Sequence, residues 1–178
     1  MFEDRDGFIW MGTMEGLARL GASGFRPYRD VEGLLVKQIN CITQDRHGSI
    51  WVGGPDSGVA EIRGSRIRNF GTEEGLAAKT VYTILERRNG DLLAGARQGL
   101  FCKKGDRFER VELPEPTTYL PIYCMEEDAR GDLWMGSRRG NLFRWDGKKV
   151  FNALLPPALA DKPVQTIVRG PDGSLWAL

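Results

Sequence analysis

A Trp followed two residues later by Gly recurs along this chain at an almost constant interval. The copies are Gly7-Phe8-Ile9-Trp10-Met11-Gly12, Gly48-Ser49-Ile50-Trp51-Val52-Gly53, Gly90-Asp91-Leu92-Leu93-Ala94-Gly95 and Gly131-Asp132-Leu133-Trp134-Met135-Gly136. A fifth, Gly173-Ser174-Leu175-Trp176-Ala177-Leu178, runs into the last residue. The leading glycines, at 7, 48, 90, 131 and 173, stand 41, 42, 41 and 42 residues apart. Further columns keep the same register. Ile39, Val81, Ile122 and Val164 lie nine residues before the leading glycine, and Ile42, Ile84, Met125 and Ile167 lie six before it. Gly16-Leu17, Gly58-Val59 and Gly99-Leu100 follow the motif, and in the fourth copy Leu142 is displaced by one from Gly140. The third copy has Leu93 in place of Trp, and the second carries one extra residue near Gly54.

A period of this length fits either a helical solenoid or a β architecture. The helical option fails because no segment sustains apolar residues at i, i+3, i+4 and i+7 over three turns. Instead, short apolar bursts are broken by Gly, Asp or Asn every eight to twelve residues, the spacing of strands and turns. The second unit divides into strands at roughly residues 38–45, 49–54, 58–63 and 66–70. Asp45-Arg46-His47-Gly48 and Arg88-Asn89-Gly90 read as hairpin turns. Four short strands per unit of about 40–45 residues is the pattern of a β-propeller blade. The fold class is therefore all-β: four-stranded antiparallel blades, about four equivalents with partial blades at both ends. The units run roughly over 1–37, 38–79, 80–120, 121–163 and a partial 164–178. In that frame the first strand of each unit is innermost, the Trp packs between blades, and the Gly after it permits close backbone approach.

The pattern Val-x-x-Ile-x-acid-x-x-x-Gly-x-Leu/Ile-Trp-x-Gly-x-x-x-Gly-Leu resembles the two-component regulator propeller repeat, and Gly33-Leu34 and Gly75-Leu76 match its Gly-Leu ahead of the inner strand. The resemblance spans essentially the whole chain. It departs at Leu93, at Pro114-Glu115-Pro116 and Pro156-Pro157, which replace the Gly-Leu, and at Arg169, where the acid is lost. It implies the extracytoplasmic or periplasmic sensor region of a bacterial receptor, with a histidine kinase, hybrid regulator or diguanylate cyclase output outside this chain. The frame, cut out of phase at both ends, makes the chain a piece of a longer receptor or a short form that closes tightly or associates. An open arc leaves unpaired edges and apolar faces, so a homodimer through the open blade ends is one expectation.

Composition narrows the function. Lys plus Arg number 25 and Asp plus Glu 24, a net charge of +1, which argues against a nucleic-acid partner. No apolar run reaches membrane-span length, and the acidic start Met1-Phe2-Glu3-Asp4 lacks the basic and apolar regions of a signal peptide. Cys41, Cys102 and Cys124 form neither a disulfide framework nor a metal spacing. Cys41 and Cys124 share a column with Thr83 and Thr166, so packing on a crowded inner strand is their expected role. His47, the single histidine, falls at a hairpin tip, and no nucleophile elbow, P-loop or HExxH occurs. Glu3-Asp4 and Glu126-Glu127-Asp128 recur at corresponding turn positions, which favours capping of turn amides or pairing with arginines over catalysis. Neither a catalytic residue, a metal nor a cofactor is expected.

Propellers commonly bind ligands at the channel mouth. The connections reaching one rim supply Lys37, Lys79 and Lys162 in one column, Arg97 with Gln98, and Arg138 with Arg139; Met14, Glu15 and Asp56 belong to the same connections. Tyr82 and Tyr123 share a column with Asn40 and Gln165. Guanidinium forks hold carboxylates and aromatic faces stack on sugars, so the expected ligand is anionic or carbohydrate-like. The function read from the sequence is a non-catalytic, ligand-sensing propeller of a signalling receptor. The alternatives are a polysaccharide-active hydrolase or lyase and a protein-interaction scaffold.

Overall fold

A computed structural model describes residues 1–22, 24–28, 33–78, 80–114, 117, 119–137, 140–153, 155–159 and 162–178. The first sheet is β1 (Phe2–Glu3), β2 (Ile9–Thr13), β3 (Gly16–Gly21) and β4 (Gly24–Tyr28); the second is β5 (Cys41–Gln44), β6 (Ile50–Gly53), β7 (Val59–Arg63) and β8 (Arg66–Phe70). The third is β9 (Val81–Glu86), β10 (Leu92–Ala96), β11 (Gly99–Lys104) and β12 (Arg107–Arg110); the fourth is β13 (Cys124–Glu127), β14 (Leu133–Gly136), β15 (Leu142–Trp145) and β16 (Val150–Ala153). The last, β17 (Ile167–Arg169) and β18 (Leu175–Ala177), is two-stranded among the described residues. Every sheet is an antiparallel meander in chain order. First strands pack successively, β5 on β9, β9 on β13 and β13 on β17. These are propeller blades with the first strand innermost, as the repeat implied.

Alternation along the strands gives each blade two apolar faces, and the blades bury them against one another. Trp51, Val59 and Phe70 of blade two meet Leu92, Ala94 and Phe101 of blade three in one cluster. Trp10, Leu17 and Tyr28 of blade one meet Ile50, Val52, Ala60 and Ile62 of blade two in another. The Trp therefore points to the following blade, and Trp51 is only 2% exposed. The Gly after it is required by the neighbouring inner strand: a Cβ on Gly136 would lie 2.5 Å from Cys124 Sγ and 2.9 Å from the Val164 carbonyl.

The recurring turn between first and second strand carries a three-pronged buckle. Asp45 Oδ1 accepts the His47 and Ser49 amides, both at 2.9 Å, and Oδ2 accepts Trp51 Nε1 at 2.8 Å. Asp4 holds Trp10 in the same way at 2.6 Å, and Asp128 holds Trp134 at 3.0 Å. Blade three has lost both partners together, with Arg87 and Leu93 at these positions. In blade five the position is Gly170, and Trp176 Nε1 donates instead to Ser174 Oγ at 3.0 Å.

A second ladder joins successive blades along this rim. Arg5 donates to the Asp45 and Arg46 carbonyls, Arg46 to those of Arg87 and Arg88, and Arg88 to those of Asp128 and Ala129. Glu86 accepts the Arg46 amide at 2.7 Å and Glu127 accepts the Arg88 amide at 2.9 Å. The recurring carboxylates are thus occupied in turns and arginine pairs, the structural role expected from their repetition.

Candidate functional site

The opposite rim is formed by the turns between second and third strands and by the segments leading into the inner strands. These segments are stitched to the preceding blade. The Ile39 amide donates to the Thr13 carbonyl at 3.1 Å; Val81, Ile122 and Val164 donate to Gly54, Ala96 and Ser137, each at 3.0 Å. The inner strand of blade two is for this reason shorter than its apolar pattern suggested. Residues 38–40 lie outside β5, and Ile39 bonds to the neighbouring blade rather than to its own ladder.

Stitching brings the column Asn40, Tyr82, Tyr123 and Gln165 into succession along this rim. Tyr82 and Tyr123, from adjacent blades, meet edge to face with ring centroids 4.7 Å apart. Asn40 Nδ2 donates to the Val81 carbonyl at 3.0 Å. Both tyrosines are half-buried, while Asn40 and Gln165 are exposed. The result is two fixed aromatic rings flanked by amides, an arrangement able to stack a ring and hydrogen-bond its substituents.

The expected cations are distributed more widely. Arg97 is exposed on the β10–β11 turn, its amide tied to the Thr80 carbonyl at 2.9 Å. Lys162 is exposed, with its carbonyl accepting the Gly140 amide at 2.6 Å. Lys37 lines a cavity of about 370 Å³ with Glu15 and Tyr28, and a second of about 640 Å³ with Asp56 and Thr72. Both cavities place a carboxylate beside the lysine, so this part of the rim has mixed charge. Lys79, Arg138 and Arg139 lie outside the described residues.

One cluster escaped the sequence reading. The Arg110 guanidinium lies 4.9 Å from the Phe101 ring and 5.0 Å from the Tyr119 ring, and donates to the Gln98 carbonyl. Tyr119 is 67% exposed, so its ring stands largely in solvent against the Arg110 guanidinium. Neither Arg110 nor Tyr119 belongs to a repeat column. The only signal was an aromatic residue in the connection before the fourth inner strand.

Burial disfavours the thiolate form of Cys41 and Cys124. Desolvation pushes Cys41 up to about 12 and Cys124 to about 11, the Gly53 and Gly136 backbone contacts opposing it only in part. Cys124 Sγ contacts the Val164 carbonyl at 3.5 Å, consistent with packing on the inner strand. Among the described residues, no three His, Cys, Asp or Glu side chains are grouped to hold a metal ion, and no helix is long and apolar enough to cross a membrane.

The model of the two-component regulator propeller matches residues 33–56 and 118–139, each taking in an inner strand and the second strand with its Trp-x-Gly motif. These two segments match that repeat, which supports the two-component regulator propeller family for the chain. Solved structures with the same architecture include the extracellular domain of the hybrid two component system BT3049 from B. thetaiotaomicron, 20% identical, with a TM-score of 0.80. That match covers 99% of this chain and 26% of the other. The extracellular domain of the one component system BT4673 from the same organism is 17% identical with a TM-score of 0.61, covering 99% and 30%. Virginiamycin B lyase from Staphylococcus aureus is 16% identical with a TM-score of 0.77, covering 99% and 61%. The chain thus spans about a quarter to three fifths of the length of these structures. A search of curated proteins finds no match.

Proposed function

We propose that this chain is a non-catalytic, ligand-sensing propeller region of a bacterial two-component or related signalling receptor, working outside the cytoplasm. The observation that carries this reading is the regulator-propeller repeat itself, matched in two separate blades. Similarity to extracellular domains of two-component systems supports the location. The ligand is an anionic or carbohydrate-like molecule held at the channel mouth by Tyr82 and Tyr123, with Lys37, Lys79, Lys162, Arg97, Arg138 and Arg139 as rim cations. Its binding shifts blade or protomer arrangement and so biases a kinase or cyclase output in another part of the receptor.

The half-buried tyrosine pair offers aromatic area at low ordering cost, since the edge-to-face contact already fixes both rings. A panel of neutral and acidic oligosaccharides, followed by calorimetry, tests this. Binding that weakens at least about tenfold in Tyr82→Ala and Tyr123→Ala is expected, since a lost stacking ring is worth about 1–3 kcal/mol. Unchanged binding in both variants overturns the assignment of the mouth.

An enzymatic reading has one observation in its favour, the similarity to virginiamycin B lyase. Against it, Asp4, Asp45 and Asp128 are occupied in turn buckles on the opposite rim, and His47 stands at one of those turns.

Pairing of two copies through the open blade ends belongs to the same proposal. Trp176, in the column that blades one and two bury, is 63% exposed. The blade-one face of Ile9, Met11, Ala18 and Leu20 is only half-buried, whereas the corresponding Ile50, Val52, Ala60 and Ile62 are buried. Sedimentation equilibrium is expected to show a concentration-dependent mass; a constant monomer mass overturns it.

A further inference from the structure

We propose that the outer cleft between blades two and three, on the buckle side and away from the channel mouth, binds a multiply charged oxyanion group, a phosphate or sulfate ester on a larger ligand.

The cleft encloses about 270 Å³ and is lined by Glu61, Arg63, Arg66, Arg68, Lys103 and Asp106. It exists because the repeat is broken at one position. The residue one beyond the cross-strand partner of the Trp column is Leu20 in blade one, Ile62 in blade two and Trp145 in blade four, but Lys103 in blade three. Ile62 is buried between blades; a lysine at this position instead opens the outer half of the interface. Its ammonium stands over Trp51 at 5.7 Å and Phe70 at 5.9 Å, so the apolar cluster forms the floor.

The facing blade is charged in the same region. Glu61 and Arg68 are cross-strand partners, as are Arg63 and Arg66, and all four side chains project on the face of Trp51. Two arginines directly opposite each other destabilise a hairpin. The Arg63 and Arg66 side chains make no hydrogen bond or ion pair among the described residues, although the Arg66 charge reaches Asp106 and helps to lower its carboxyl. Of the two carboxylates, Asp106 is paired with Arg68 at 2.5 Å, and Glu61 accepts the neutral Ser49 hydroxyl at 2.9 Å and keeps its charge. Lys103 Nζ donates to the Gly105 carbonyl at 2.7 Å and keeps two further donors. Four cations thus face two carboxylates, an excess of positive charge, with the Arg63–Arg66 forks holding no acid. An oxyanion entering here turns the cross-strand repulsion into attraction and gains charge-assisted bonds.

The test uses the full chain at low ionic strength, titrated separately with inorganic phosphate and inorganic sulfate. Binding is read from backbone amide shifts of residues 63–66 and from the unfolding temperature. Saturable shifts in this hairpin are expected, with a dissociation constant on the order of 1 mM, and the unfolding temperature should rise with the anion. In Arg63→Ala/Arg66→Ala the affinity is expected to fall at least about tenfold and the thermal response to vanish. The variant loses a repulsive surface pair and should remain folded by circular dichroism. Lys148→Ala/Lys149→Ala removes equal charge from the blade-four hairpin and is expected to bind as the parent does. Saturation by sulfate alone identifies a sulfate-ester site, and by phosphate alone a phosphate-ester site. Shifts that do not saturate, or an equal loss in both double variants, overturn the proposal. It stands or falls separately from the channel mouth, because neither tyrosine lines this cleft.

Discussion

Removing the Asp45 carboxylate tests whether the buckle holds blade two together. Asp45→Ala strands three donors, the His47 and Ser49 amides and Trp51 Nε1. His47 is exposed, so water replaces its lost partner at little cost. Ser49 and Trp51 are 1% and 2% exposed, and no water reaches them without opening the blade. Each buried donor left unsatisfied costs about 1–3 kcal/mol, so the two together should cost roughly 2–6 kcal/mol. Set against an ordinary stability of about 5–15 kcal/mol, this is a large fraction. Urea unfolding followed by circular dichroism measures it as a lower midpoint. Combining Asp45→Ala with Trp51→Phe isolates the bond to the indole, because Phe has no N–H to strand. The double variant should be less destabilised than the sum of the singles by about 1–2 kcal/mol. A cost below about 0.5 kcal/mol for Asp45→Ala, or an additive cycle, would refute the reasoning. Blade three already makes the paired change, with Arg87 and Leu93 in these positions.

Three further outcomes are expected. Burial raises the Asp128 carboxyl, but the Trp134 indole, the Asp132 and Arg130 amides and the Arg130 charge outweigh it and leave the group below its ordinary value. Its contribution is therefore full above the unfolded carboxylate pKa of about 3.9 and lost as pH falls through the lower folded value, so Asp128→Asn should flatten the acid limb of a stability–pH profile. Burial first, and for Cys102 also the charge of Asp91, raises all three thiols; Ellman's reagent at pH 8 should react with none of them until the chain unfolds. Glu127, 6% exposed and accepting the Arg88 amide and Arg87 Nε, should cost about 2–4 kcal/mol as Glu127→Ala. Arg46→Ala, which removes a guanidinium that is 44% exposed and leaves Glu86 its bond from the residue 46 amide, should cost about 1 kcal/mol or less; equal midpoints in the two variants would contradict that ranking.

The sequence alone determined the architecture, because a propeller is a local rule applied repeatedly. Strand length, turn glycines and the Trp-x-Gly motif act within one unit or on its neighbour, so a period of about 41 residues carries the blade and its inner strand. The turn role of the recurring acids was legible for the same reason. Partnerships across blades were not. The arginine-to-carbonyl ladder joins residues some 40 positions apart whose side chains carry no periodic hydrophobic signal. Tyr82 and Tyr123 shared a column, but only packing of adjacent blades decided that their rings touch. Arg110 beside Tyr119, and the Lys103 cleft, arise where single residues depart from the repeat. A repeat records what its units share; binding chemistry lies in what they do not share, and only tertiary structure decides which of those differences meet.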